Sequence, residues 1–267
     1  MRIALSFCKM TGAGNDFIVL DAEDGLPSTA SELARRLCPR RVSVGADGLL
    51  ALRRSGSGAI EVDYRNADGS PAAFCGNGAR CAARFAATSG WSRWPGVLRF
   101  AEAEIIAREP ESRPEDVELE LPRPRVLEQL TLAIGERSHV VCHWVDAGVP
   151  HLVVPDAADS ATSWDAVGRA LETTRAEWVG RGNLTLMRVE DDGHVEVRTL
   201  ERGSGETWAC GSAALAVAAA RPGADTGLDL LVVPPARVPL RVRLNPAPGP
   251  AFLSGEARIV YRGRMEF

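Results

Sequence analysis

Phe74-Cys75-Gly76-Asn77-Gly78-Ala79-Arg80-Cys81-Ala82-Ala83 places a Cys-Gly pair at the doorway of an alanine-rich segment. Trp208-Ala209-Cys210-Gly211-Ser212-Ala213-Ala214-Leu215-Ala216-Val217 repeats the arrangement 135 residues later, in a chain of 267. One shift lays Cys75 on Cys210, Gly76 on Gly211, Ala79 on Ala214 and Ala83 on Ala218. Alanine-rich runs of this kind favour helix, and Gly90 is placed to end the first one. The match reads as a duplicated unit in which each copy supplies one thiol. A chance likeness between two small-residue helices is the rival reading. A repeat of half the chain length favours two domains of ordinary size over one large one.

Outward from these helices, the first half reads as a strand over Arg2-Phe7, a tight loop over Thr11-Asp16 and a short buried strand over Phe17-Leu20. Thr29 or Ser31 caps a helix reaching Leu37, stopped by Pro39. Ala51-Arg53 and Ala59-Tyr64 flank a hairpin turn, and Asn66-Ala67-Asp68-Gly69-Ser70 is another turn. Leu98-Ala101, Glu104-Arg108 and Val117-Leu121 are further strands, after which Pro122 and Pro124 mark the crossing into the second half. There Val140-Asp146 and Leu152-Val154 read as strands around a Gly148-His151 turn, and Asp165-Leu171 as a helix. Asn183-Val189 and His194-Thr199 form a hairpin leading to the helix behind Cys210. Asp229-Val233, Val238-Leu244 and Ala257-Arg262 close the chain as strands. Many strands and few helices predict an α+β, mixed α/β class rather than a βαβ repeat. The expected domains are 1–121 joined by a returning C-terminal strand over 256–267, and 122–255.

Composition narrows the function classes. Hydrophobic residues make up 45% of the chain, enough for a core in each half. A net charge of -4 with both signs interspersed points to neither a nucleic-acid nor a membrane partner. The basic cluster Arg35-Arg36, Arg40-Arg41 reads as the solvated end of a helix. The first residues are too few and too polar for a signal peptide, and no run approaches the roughly 20 apolar residues of a membrane span. These readings predict a cytoplasmic protein, where six cysteines are not a disulfide framework. No CxxC pair and four scattered histidines predict no metal site, and Gly12 and Gly14 do not continue as the GxGxxG of a dinucleotide site.

A thiol at the first turn of a helix meets unpaired N–H groups and the positive end of the helix dipole, and both favour the thiolate. The same N–H groups can hold a carboxylate. Each copy therefore offers a base beside a carboxylate cradle, although a free cysteine is more often a small buried hydrophobe. A substrate carbon held between a thiolate and a thiol can lose a proton to one and gain one from the other, inverting a stereocentre with no cofactor. Nucleophilic catalysis is the alternative, but His139, His143, His151 and His194 form no identifying motif. Asn15, Asn66 and Asn77 suit an amino-acid zwitterion, with turn formation the competing use of Asn66. Glu201-Arg202 offers a carboxylate for an ammonium and a guanidinium for a carboxylate, with a mutual surface ion pair as the competing reading. His151 is expected to order its turn rather than to transfer a proton.

With these residues in view the chain resembles the diaminopimelate epimerase family over nearly its whole length. The matching pieces are Gly14-Asn15-Asp16-Phe17, Gly45-Ala46-Asp47-Gly48-Leu49, Asn66-Ala67-Asp68-Gly69-Ser70, Cys75 to Cys81, and Glu201 to Gly211. The resemblance implies two similar, pseudo-symmetric domains with a cleft between them, an amino-acid substrate, no cofactor or metal, and a homodimer. It puts Cys75 and Cys210 on the catalytic cysteines. It puts Gly76 with Asn77, and Gly211 with Ser212, on the segments that hold the reacting carboxylate. Asn15, Asn66, Asn183, Glu201 and Arg202 fall on substrate-binding positions, the last four serving the distal end of the substrate.

Two departures stand out. Val149 occupies a position where the family has asparagine, and Ser212-Ala213 replaces its usual threonine and glycine. A polar substrate group left unpaired by Val149 costs about 1–3 kcal/mol, enough to redirect specificity. The implied function is inversion of L,L-diaminopimelate to the meso form. The alternatives are a racemase of another amino acid with the same machinery and a non-catalytic amino-acid-binding protein.

Overall fold

The computed structural model describes residues 4–72, 74–101, 103–109, 113–134, 138–155, 181–202 and 205–266. The helix expected over Asp165-Leu171 lies outside the described residues. The chain divides into two compact units, Met1–Glu120 with Ser254–Phe267, and Leu121–Leu253.

In the first unit β1 (Ala4–Gly12) turns back into β2 (Asn15–Asp21), and α1 (Ala30–Leu37) follows. β3 (Gly48–Arg54) lies parallel to β2 and β4 (Ile60–Asn66) antiparallel to β3. After α2 (Gly76–Thr88) come β5 (Gly96–Arg99), β6 (Glu104–Arg108) and β7 (Asp116–Leu121), with β5 parallel to β4. α1 is closed by a reciprocal cap in which Thr29 accepts from the Glu32 N–H and the Glu32 carboxylate accepts from the Thr29 N–H. It buries Leu33 and Leu37 completely, each worth about 1.5–3 kcal/mol of transfer from water. They join Ile18, Leu20 and Leu49 in one apolar cluster.

β1 runs further than the sequence predicts. Thr11 and Gly12 pair with Asp16 and Asn15, so only Ala13 and Gly14 turn the chain, at φ 51° and 99°. Glycine at 14 supplies the left-handed backbone this turn needs. Gly12 is required for a different reason. A Cβ there would stand 2.8 Å from the Asn77 carbonyl oxygen, so the missing side chain lets the end of β1 approach the start of α2.

The second unit holds β8 (Arg125–Ile134), β9 (Ser138–Asp146), β10 (Pro150–Pro155), β11 (Asn183–Val189), β12 (Val195–Glu201) and β13 (Gly205–Thr207). α3 (Gly211–Ala219), a 3₁₀ turn (Ala224–Thr226), β14 (Leu228–Val233) and β15 (Leu240–Leu244) follow, and β16 (Ala251–Glu256) begins in this unit and passes at Ser254 into the first. α3 buries Ala213 to Ala218 without a break. A core forms where Cys142, Trp144, Leu152, Val154, Leu184 and Leu186 meet. The final strand, β17 (Arg258–Glu266), belongs to the first unit and pairs antiparallel with β1.

Both units mix strands with few helices, so the class is mixed α/β. β8, β13 and β16 were not expected. β8 hides because Val126 and Leu127 are both exposed and the register slips between Val126 and Glu128, which erases the alternation that marks a strand. Arg35 and Arg36 form the exposed last turn of α1, as expected of the basic cluster, and beyond it stands Arg40. Its guanidinium bridges Asp16 at 2.6 Å and Asp47 at 2.7 Å, tying the β1–β2 hairpin to the loop before β3. Burial alone would raise the Asp16 carboxyl, but Arg40 and Lys9 outweigh it and hold the group down at about 2. Among the described residues no helix is long and apolar enough to cross a membrane.

Candidate active site

Of the six cysteines, Cys8, Cys38, Cys81 and Cys142 are buried, and only Cys75 and Cys210 keep part of their surface accessible. Burial raises the thiols of Cys8, Cys38 and Cys81, the second to about 11, so they stay protonated and inert.

Cys75 is the N-cap of α2, with an extended backbone, and its sulfur accepts the Gly78 N–H at 3.5 Å. Asn77, in the first turn, is 3% exposed. Its Oδ1 accepts from Arg80 Nη2 at 2.6 Å, which directs its Nδ2 to donate to Asn15 Oδ1 at 2.5 Å. Asn15 in turn donates to Asp47 Oδ2 at 3.1 Å. Two amides thus lie in series between a cation and an anion, and their orientations follow from the charges at the ends. Asn66 ends β4 opposite Gly48, and its amide donates to Ser70 Oγ at 3.0 Å, stabilising the turn that competes for it.

In the second unit three strands bring their ends together. His151 of β10 lies in register with Asn183 of β11, and the β11–β12 ladder sets Leu184 beside Leu200, which brings Asn183 level with Glu201. Cys210 caps α3 with the same extended backbone as Cys75 but without a side-chain cap bond. Its sulfur lies 3.2 Å from Ser212 Oγ, and Ser212 Oγ lies 2.9 Å from His151 Nε2. The other ring nitrogen, Nδ1, lies 2.9 Å from Thr185 Oγ1.

Contrary to the expectation that it orders a turn, His151 is fully buried inside β10. Its place at the head of Leu152-Val153-Val154 was the available signal. Burial pushes its imidazole down to about 4, so the ring is neutral. Its tautomer can be argued from Asn183. The Arg202 backbone N–H donates to Asn183 Oδ1 at 2.9 Å, which leaves Asn183 Nδ2 facing His151 Nε2 at 3.5 Å. Nε2 is then the acceptor and Nδ1–H donates to Thr185. The Ser212 hydroxyl donates to Nε2 and keeps a lone pair for the thiol hydrogen of Cys210.

Burial, with the Glu201 charge second, pushes Cys210 up to about 12, against the pull of Ser212 and the Ala213 N–H. Burial and the Glu201 charge therefore keep Cys210 a thiol despite these two hydrogen bonds. The N–H at the start of α3 does favour the thiolate as expected, but burial and the Glu201 charge outweigh it at Cys210.

A family model described as diaminopimelate epimerase matches residues 7–94 and 143–228. The chain is 33% identical over 263 residues to the diaminopimelate epimerase of Chlorobaculum tepidum, covering 96% of this chain and 99% of that one. The chain belongs to the diaminopimelate epimerase family. It is thereby an isomerase of the amino-acid epimerase and racemase kind. It is also 35% identical over 281 residues to the O-ureido-serine racemase of Streptomyces lavendulae, covering 97% and 94% of the two chains. Among solved structures the fold is similar to a phenazine biosynthesis protein of the PhzF family from Enterococcus faecalis, with a TM-score of 0.72 at 13% identity over 98% of this chain and 99% of that one. It is also similar to a hydroxyproline epimerase from Agrobacterium vitis, with a TM-score of 0.65 at 15% identity over 100% and 94%.

Within this diaminopimelate epimerase family chain, Glu201 lies close to Cys210. Its carboxylate accepts from Thr207 Oγ1 at 3.0 Å and acts directly on the Cys210 thiol. Gly76 and Gly211 are the first residues of their helices. Arg202 is exposed in the turn after β12. Val149 is 44% exposed two residues before His151, its carbonyl accepting from the Ala147 N–H at 3.1 Å. Among the described residues no group of three or more His, Cys, Asp or Glu side chains is placed to hold a metal ion.

Proposed function

We propose that the protein epimerises L,L-diaminopimelate to the meso form by a cofactor-independent, two-base mechanism with Cys75 as thiolate and Cys210 as thiol. The observation that carries the reading is that the two partly accessible cysteines both cap helices. One helix start adjoins amide donors, and the other is held protonated.

The Cys75 sulfur takes the α-proton and becomes a thiol, leaving a planar carbanion. The Cys210 thiol delivers its proton to the opposite face and becomes the thiolate. The weak acidity of the α-hydrogen is the barrier. N–H groups at the starts of α2 and α3, with Asn15 and Asn77, receive the charge that develops on the carboxylate. Glu201, beside Cys210, is suited to the ammonium on the reacting carbon, and Arg202, Asn66 and Asn183 serve the distal end. We place the enzyme in the cytoplasm, where its thiols stay reduced, and assign it the homodimer that the family resemblance implies.

A second substrate reading, a racemase of an amino acid with a less polar distal end, draws on Val149 and on the likeness to O-ureido-serine racemase. Exchange of the α-hydrogen in deuterated water, without added pyridoxal phosphate or metal and under reducing conditions, tests both. The panel is L,L- and meso-diaminopimelate, lysine, arginine, histidine, glutamate and O-ureido-serine. Exchange with diaminopimelate alone supports the first reading, exchange with another member the second, and exchange with none removes both.

A further inference from the structure

Arg80 is fully buried in the first unit. Its guanidinium donates to Asn77 Oδ1 at 2.6 Å, to the Glu256 carbonyl at 3.4 Å and to the Gly76 carbonyl at 3.5 Å. Among the described residues no carboxylate lies within ion-pair distance of it. A buried cation balanced only by dipoles is costly, and arginine does not shed its proton to escape the cost. An anion near it is therefore strongly favoured.

The groups around it narrow that anion to one. Asp116, on β7, is pushed toward its neutral form by burial, and its Oδ1 has no partner. Glu256, which precedes β17, offers Arg80 its carbonyl, while its carboxylate pairs with Arg258 at 3.0 Å. Cys81 on α2 and Cys8 on β1 are buried thiols held protonated. Cys75 remains, one residue before the Gly76 carbonyl that the guanidinium touches. We propose that Arg80 is a positioning residue with two effects, holding Cys75 as the resting thiolate and fixing the orientations of the Asn77 and Asn15 amides at the start of α2. The charge acts through Cys75 and the fork through Asn77, so Arg80 itself need not touch substrate. The catalytic meaning of this role rests on the two-thiol reading above, but the ionisation of Cys75 can be measured without it.

The test is the pH dependence of Cys75 alkylation by iodoacetamide in the full chain, read by mass spectrometry of the Cys75 peptide. In the unaltered protein the midpoint lies below the ~8.5 of a free cysteine. In Arg80→Met it rises by about one unit or more, roughly a ten-fold loss of thiolate at pH 7. Arg80→Lys keeps the charge and loses the fork, so the midpoint holds within ~0.3 unit while KM rises about ten-fold. A midpoint at or above that of free cysteine in the unaltered protein overturns the proposal, and this needs no variant to fold. So does an unchanged midpoint in an Arg80→Met protein whose circular dichroism matches the original. If no substrate exchanges its α-hydrogen but the Cys75 midpoint still follows Arg80, the inference stands and the epimerase reading fails.

Discussion

The starts of α2 and α3 share a backbone and differ in their electrostatics. Both are capped by a cysteine in extended conformation, at φ −146° and −135°, and both continue through glycine. At Cys75 the nearby buried charge is the guanidinium of Arg80, and the sulfur accepts an N–H. At Cys210 the nearby charge is the Glu201 carboxylate, and a hydroxyl oriented by His151 faces the sulfur. The repeated Cys-Gly pair gives two similar helix starts, whereas the two-base inversion proposed above needs unequal ones. The inequality comes from side chains outside the repeated Cys-Gly pair.

The sharpest way to break the comparison is to remove either thiol. Cys75→Ala and Cys210→Ala are each expected to lower net inversion by about 10³-fold or more, since each removes one proton-transfer group. Full activity after either change, measured by polarimetry or coupled assay, refutes the pairing. Next in size is the effect of reversing the second environment. Glu201→Gln removes an anion that raises Cys210, so the alkylation midpoint of Cys210 is expected to fall by about one unit, roughly a ten-fold faster labelling below the midpoint. The midpoint of Cys75 should stay where it is.

His151 gives a stability test. Its folded-state value is depressed to about 4 from the ordinary 6.5, so the unfolded chain takes up the proton first as pH falls. Its contribution is complete above 6.5, is lost between 6.5 and about 4, and amounts to roughly 3 kcal/mol. Urea midpoints measured at pH 7 and 4.5 should show this loss, and His151→Gln should flatten it. The further loss below pH 3.8 as Asp16 protonates should remain in that variant. The smallest expected effect is Val149→Asn, which should raise kcat/KM for diaminopimelate about ten-fold if the missing amide limits that substrate. No change would separate Val149 from specificity.

The repeat and its two cysteines were visible in the sequence because they rest on local signals, a Cys-Gly pair followed by alanine. The role of His151 was not, because it depends on register. Only the parallel pairing of β10 with β11 brings His151 beside Asn183, and only burial makes the ring neutral. Glu201 stands out in the sequence for its nearness to Arg202, whereas its nearness to the Cys210 thiol is set by the fold and is not legible in the sequence. Arg80 lies inside the Cys75 motif, but nothing in a linear motif distinguishes a buried arginine from a surface one. β8 was missed because its two adjacent exposed apolar residues imitate a loop.

The pairing of β17 with β1, Ala4 against Glu266 through Thr11 against Arg258, has a consequence for biosynthesis. The second unit is contiguous, so all of it leaves the ribosome before the first unit has its last strand. Until residues 258–266 emerge, β1 carries one ladder instead of two and presents an open edge to the cell. The order of completion is therefore the reverse of the order of translation, and the half that bears Cys75 is the later one to be sealed.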